Sequence, residues 1–285
     1  MTKGGLSIIQ QTIERLPESE RKIAQYILDN PHEAVNSTVS QISVSSNASG
    51  AAVVRLCKSL GLKGFQDLKL RIAGDLLKPV EQGYRDIEPE EPLYSIAMKT
   101  ASNSIQAITD TSEILNYDEL EKAVQLLTEA KTVHFYGVGA SGIVAADAQQ
   151  KLLRINKNAT AFADLHLVAT LIANADQNDV VFAVSYSGET SEILRILKLA
   201  NEKGVRTIGL THFGQSRMTA LCDVCLYTSS SNEAPFRSAA TSSRLSQLYL
   251  IDVLFLGMAA NQYGETVQYI DHTREAIRSI TKKEK

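Results

Sequence analysis

The sequence predicts an α/β protein in two parts: an all-α domain over residues 1–77 and a doubly wound, parallel-sheet domain over 117–285. Three observations carry this. Residues 6 to 60 hold short stretches apolar at helical spacing, two of them joined by a brief turn. From Thr132 onward, short apolar runs alternate with helical patterns, as in a parallel sheet covered on both faces. Between them, Lys78 to Pro92 contains three prolines and several acids and reads as a connection. With a helical pattern from Leu93 to about Leu115, it forms a linker over 78–116.

Length and composition bound the class. A chain of 285 residues is long enough for two domains, and 44% hydrophobic content supports a real core. No apolar run reaches the roughly 18 residues of a membrane span. Met1-Thr-Lys-Gly-Gly-Leu6 is not followed by a signal-peptide stretch. The expectation is a soluble, cytoplasmic protein with no membrane partner. The net charge of −3 conceals an asymmetry: residues 1–80 carry ten Lys/Arg against seven Asp/Glu, and the rest 19 against 25. A basic segment on an acidic body points to a polyanion at one end, or to a merely solvated basic face. Three cysteines without a secretion signal argue against a disulfide framework. Cys222-Asp-Val-Cys225 has the spacing of half a zinc site, but no second pair matches it. The expectation is no metal, with the thiols as small core residues.

Leu6, Ile9, Ile13 and Leu16 have helical spacing, and Pro17 opens a helix from Glu18 to about Asp29 that Asn30-Pro31 stops. Thr38 caps a short helix from Val39 to about Ser45. A turn follows at Ser46-Asn47-Ala48. Ser49 then caps a helix from Gly50 to Leu60, which Gly61 ends. Two helices joined this way have helix-turn-helix spacing, in which the second enters the DNA major groove. The candidate DNA-binding residues are Ser46, Asn47, Ser49, Gly50, Arg55, Lys58 and Lys63. Asn47, Ser49 and Gly50, with Ala51, lie nearest the base edges; the three cations suit phosphate contact.

The stretch from Ala51 to Lys69, above all Leu60-Gly-Leu-Lys-Gly-Phe-Gln-Asp-Leu-Lys69, resembles the N-terminal domain of the RpiR family of bacterial transcription regulators. Ala52 stands where that family usually has Thr, and Ser43 where it usually has Ala. Both stay small, which keeps the fold and leaves the operator open.

In the second part, Asp118 to Ala130 reads as an amphipathic helix and Thr132 to Val138 as a strand. Gly137-Val-Gly139-Ala-Ser141-Gly142 follows, then a helix from Ile143 to about Arg154. A short strand over 160–163 leads through Asp164-Leu-His166 to a helix from Val168 to Ala175. Strand 179–184 comes next, then Ser185-Tyr-Ser187-Gly188-Glu-Thr190 and a helix over 191–203. Strands from Val205 to Thr211 and from Val224 to Thr228 precede an apolar helix, Leu245 to Met258, a candidate dimer or core element. A lone Gly-x-Gly without a suitable strand-end acid does not make a nicotinamide site, and no cofactor is expected.

A strand-to-helix turn rich in hydroxyls offers free N–H groups and a positive dipole end, which suits one small phosphate group. The same residues also serve as an ordinary helix cap. Two such turns in one sheet, Gly137-x-Gly139-x-Ser141 and Ser185-x-Ser187-Gly188-x-Thr190, resemble the sugar isomerase (SIS) domain over roughly 120–260. That resemblance implies that Ser185, Ser187 and Thr190, with Gly188 in their turn, hold the phosphate of a phosphosugar, with Ser141 and Gly139 contributing from the first turn. His166 is either a hydrogen-bond partner of the sugar or a structural histidine. Asn232 to Leu248 resembles the late segment of RpiR-type SIS domains. There Glu233 is a candidate to reach a ligand across a dimer, while Arg237 and Arg244 hold acids of their own subunit. Gly83 to Asp86, Ile143 to Lys151 with Ala161-Phe162, and Arg237 to Leu245 look most like regulators of N-acetylmuramic acid catabolism. The implied partners are operator DNA, a phosphosugar (N-acetylmuramic acid 6-phosphate, with N-acetylglucosamine 6-phosphate or glucose 6-phosphate as alternatives) and a second copy, as homodimer or homotetramer. The competing reading is a phosphosugar isomerase or etherase on the SIS fold.

Overall fold

Helix formation in the N-terminal residues follows the apolar spacing. The computed structural model describes residues 4–76, 87–229 and 241–281. Helices α1 (Gly5–Thr12), α2 (Glu18–Asp29), α3 (Pro31–Asn36), α4 (Val39–Ser45), α5 (Gly50–Ser59) and α6 (Phe65–Asp75) bury one apolar face each. Ile9, Ile23, Ile27, Ile42, Val53, Leu56, Leu68 and Ile72 form their common core and have no exposed surface. Helix α4 starts with a reciprocal capping box between Thr38 and Gln41, and Ser49 accepts from the Ala52 N–H at 3.2 Å to start α5. Gly61 ends α5 in the left-handed region, φ 70°, where glycine is unstrained. Pro31 does not simply stop α2. It occupies the first turn of α3, where its missing N–H leaves no bond unmade. Asp75, at the end of α6, accepts from the N–H groups of Gly4 (2.6 Å) and Leu6 (2.8 Å), so its carboxylate closes the start of α1. Cys57 is buried in this core, and burial pushes its thiol up to about 11.

Helix α7 (Leu93–Glu113) follows residues 77–86, which lie outside the described residues. The chain divides into two compact units, residues 1–115 with 227–243 and residues 116–226 with 244–285, so α7 belongs with the first. Within that unit Thr111 Oγ1 donates to the Ala107 carbonyl at 2.7 Å and accepts from the Ser229 N–H at 3.0 Å.

The second unit opens with α8 (Tyr117–Glu129) and then alternates. Its elements are β1 (Thr132–Gly137), α9 (Ala140–Arg154), β2 (Ala159–Thr160), α10 (Leu165–Ala173), β3 (Asp179–Val184), α11 (Ser191–Glu202) and β4 (Arg206–His212). Then come β5 (Val224–Thr228) and α12 (Ser242–Asn261), of which residues 227–228 and 242–243 fall in the first unit, and α13 (Tyr263–Thr281). The strand order is β2-β1-β3-β4-β5, with β1 parallel to both β2 and β3, and β3 parallel to β4. Alternation along the strands splits the core. Tyr136, Val181 and Ala183 pack with Val168 and Ile172 of α10 and with Ile193, Ile196 and Leu197 of α11. Phe135 and Phe182, register partners with ring centroids 5.2 Å apart, face the other way. Several boundaries differ from the sequence reading. Strand β2 is only Ala159–Thr160, an edge strand paired with Val133 and His134 of β1. Helix α10 begins at Leu165 because Asp164 accepts from the Leu167 N–H at 2.9 Å. Helices α6 and α13 have no counterpart in the periodicity reading. Cys222 and Cys225 are half-buried, with Cys222 packed against the core beneath α10 and α11.

Asp75→Ala strips two helix N–H groups of their acceptor and is expected to destabilise the first unit by about 1–2 kcal/mol, the usual size of a lost helix cap. Urea denaturation followed by circular dichroism measures it. At Gly137 an added Cβ would lie 2.4 Å from the Ser141 carbonyl oxygen, which is backbone. Gly137→Ala therefore forces the β1–α9 turn apart and is expected to cost about 1–3 kcal/mol, as overpacking does; the thermal midpoint of unfolding reads it.

Candidate functional site

Strand order places the candidate ligand turns side by side. In a 2-1-3-4-5 sheet the crossovers from β1 and from β3 depart in opposite directions, and the crevice between them opens at the carboxyl ends of these two strands. Gly137 pairs in register with Val184, so Val138–Ser141 and Ser185–Thr190 leave adjacent strands at the same level. The Asp164-Leu-His166 segment follows β2, the next strand on the other side of β1.

In the second turn, Ser185 is 2% exposed. Its hydroxyl shares a hydrogen with Thr190 Oγ1 at 2.9 Å and accepts from the Gly188 N–H at 3.2 Å. Ser187 is exposed and accepts from the Glu189 N–H at 3.2 Å. Gly188 takes φ 65°, and a Cβ there would lie 2.3 Å from Ser216 Oγ. Thr190 is the N-cap residue of α11, yet its side chain makes no capping bond. In the first turn Gly139, φ 61°, is the N-cap of α9, again with no side-chain cap. Helices α4, α5, α8 and α10 are all capped by their own side chains. The starts of α9 and α11 lack such a cap, as do those of α1, α2, α3, α6 and α7, and at α9 the N-cap residue is a glycine with no side chain to offer. Ser141 is buried one residue into α9. The Glu192 carboxyl, in the first turn of α11, is held below its ordinary range by its own backbone N–H and then by the Ser191 hydroxyl.

The sequence does not announce what holds the second turn. The Tyr186 carbonyl accepts from the His212 N–H at 3.0 Å, from Thr211 Oγ1 at 3.1 Å and from His212 Nδ1 at 2.6 Å. A carbonyl only accepts, so Nδ1 carries the proton. The Gly188 carbonyl accepts from the Met218 N–H at 3.1 Å, and Glu189 receives the Arg217 N–H at 2.8 Å and its Nε at 2.5 Å. These partners lie 25 or more residues downstream, beyond the reach of any local pattern. His166 is exposed in the first turn of α10, so it is not a buried structural histidine. Glu233 and Arg237 lie outside the described residues. Arg244, expected to hold an acid, is half-buried and makes no ion pair among the described residues.

At the other end, the turn between α4 and α5 presents Asn47, φ 50°, and Ser49 to solvent, with Gly50 partly exposed and Lys58 and Lys63 exposed. Ser46 departs from the expected set: it is buried, and its hydroxyl donates to the Ile42 carbonyl at 2.6 Å. Arg55 is exposed but lies 3.6 Å from Glu20, a buried carboxylate that also accepts from Ser59 Oγ at 2.7 Å. Among the described residues no cluster of His, Cys, Asp and Glu could hold a metal ion, and no helix is long and apolar enough to cross a membrane.

Two known families match different parts of the chain. Residues 3–79 match the helix-turn-helix domain of the rpiR family, and residues 126–257 match the SIS domain. The chain is 66% identical over 280 residues to YbbH of Bacillus subtilis (strain 168), an uncharacterized HTH-type transcriptional regulator, covering 98% of this chain and 99% of that one. It is 30% identical over 278 residues to the HTH-type transcriptional regulator HexR of Pseudomonas aeruginosa, covering 96% of each. Among solved structures, the NanR protein of Vibrio vulnificus complexed with ManNAc-6P superposes with a TM-score of 0.62 at 28% identity, covering 98% of this chain and all of that one. The chain therefore belongs to the RpiR family of helix-turn-helix transcriptional regulators that carry a SIS domain.

Proposed function

We propose that this regulator binds operator DNA through α4 and α5 and senses a phosphorylated amino sugar, N-acetylmuramic acid 6-phosphate first among them, in the SIS domain. The observation that supports the effector site is the register of β1 with β3, which sets the starts of α9 and α11 side by side with the hydroxyls of Ser185, Ser187 and Thr190 in the second turn. Bare N–H groups, a positive dipole end and clustered hydroxyls are what a phosphate monoester needs. Ser185, Ser187, Gly188 and Thr190 hold the phosphate; Gly139, Ser141 and His166 face the sugar. Glu233 remains a candidate contact from a second copy. The likeness to NanR with its bound sugar phosphate supports an amino-sugar ligand, and the resemblance to regulators of N-acetylmuramic acid catabolism selects among amino sugars. We further propose that the protein acts as a homodimer or homotetramer in the cytoplasm, where a two-fold assembly matches a palindromic site. Its role is sensing, not turnover; release of product from amino-sugar 6-phosphates at enzyme-like rates would reverse that assignment in favour of an isomerase or etherase.

A thermal-shift panel of phosphosugars ranks the effectors, since a ligand of the folded state raises the unfolding temperature by mass action. Ser187→Ala is expected to weaken the best of them about tenfold in titration calorimetry, the loss of one hydrogen bond to a charged group, with DNA binding unchanged. Undiminished affinity removes the phosphate role from this turn. At the other end, Lys58→Ala is expected to reduce the slope of log affinity against log salt by about 0.9 for each phosphate that is no longer neutralised. Arg55→Ala is expected to lower DNA affinity too, and also to destabilise the fold, because Glu20 loses its cation.

A further inference from the structure

Helix α5 turns Ala52, Val53, Leu56 and Cys57 into the core. Its opposite face carries Ala51, Val54, Arg55 and Lys58, at the i, i+3, i+4 and i+7 positions of one helical stripe. Val54 is 50% exposed. It sits one turn past the Ser49 cap, in the N-terminal half of the helix, from which a helix-turn-helix protein reaches base edges. Two cations flank it, Arg55 next in sequence and Lys58 one turn on. A second copy packing on this stripe would bring like charges together; a duplex would bring opposite ones. Within the major groove the apolar group on a base edge is the 5-methyl of thymine.

We propose that Val54, with Ala51 beside it, is a specificity-determining residue that reads thymine methyl groups in the operator. This rests on the reading of α5 as the DNA-contacting helix. The neighbouring Asn47, Ser49 and Gly50 supply polar contact and close approach, and Lys58 and Lys63 supply phosphate contact. Val54 adds the larger of the two aliphatic surfaces of that face, able to discriminate a methylated pyrimidine edge from a bare one.

The test is selection of duplexes from a random library by the full chain and by its Val54→Ser variant. The wild type is expected to enrich a motif with at least one thymine in each half-site whose enrichment the variant loses. Replacing that thymine by deoxyuridine is expected to weaken wild-type binding about fourfold, the worth of burying one methyl group, and to leave Val54→Ser unchanged. Val54→Thr, which keeps one methyl, should fall between. An identical motif from both proteins, or equal deoxyuridine losses in both, overturns the proposal. If Val54→Ser does not fold, wild-type indifference to deoxyuridine at every enriched thymine overturns it alone. A wild type that enriches no motif defeats instead the DNA-binding reading beneath it.

Discussion

Parallel pairing of β1 with β3 sets where chemistry can happen in this molecule. Strand β1 leads by α9 to β2 on one side, and β3 leads by α11 to β4 on the other. Right-handed crossovers that run in opposite directions put their helices on opposite faces of the sheet. The turns that begin those crossovers must therefore diverge, and a crevice opens between them. Nothing about the serines creates this space. The strand order creates it, and the residue types on its rim determine what enters.

The second turn is shaped from outside. Its backbone carbonyls at Tyr186 and Gly188 are held by Thr211, His212 and Met218, and its Glu189 by Arg217. The loop is thus held from outside as well as from within, where Ser185 pairs with Thr190 and the Ser185 and Ser187 hydroxyls accept from the Gly188 and Glu189 N–H groups. Preorganisation of this kind lowers the entropy of ordering that a ligand would otherwise have to offset. The aromatic–imidazole packing of Tyr186 against His212, at 5.4 Å, fixes the same turn from its side-chain face.

Much of this is legible in the residues. The alternation of apolar runs and helical patterns points to the α/β class, and Ser49, Thr38 and Gly61 mark helix ends because caps are local chemistry. The turns after β1 and β3 are recognisable for the same reason. What is not legible is long-range. The Glu20–Arg55 pair joins residues 35 apart, and the grip of Thr211 and His212 on Tyr186 depends on the β3–β4 register. Burial of Ser46 cannot be told from its position in the turn, since its neighbours Asn47 and Ser49 point outward. Helix α13 is largely exposed, yet Val267, Ile270 and Ile277 recur at helical spacing along it, so its periodicity is legible and only its exposure is not. Helix α3 hides behind a proline, a residue that ends one helix and starts another equally well.

The chain passes between its two compact units at 115/116, 226/227 and 243/244. A protein joined by one linker can be cut there and studied in halves. This one cannot be divided so simply. A fragment beginning at residue 116 would carry the segment from 227 to 243 without its own unit, and the Ser229 N–H would lose the Thr111 hydroxyl that receives it. The consequence is practical as well as physical: a fragment meant to hold the parallel sheet alone keeps that bond only if it starts upstream of α7.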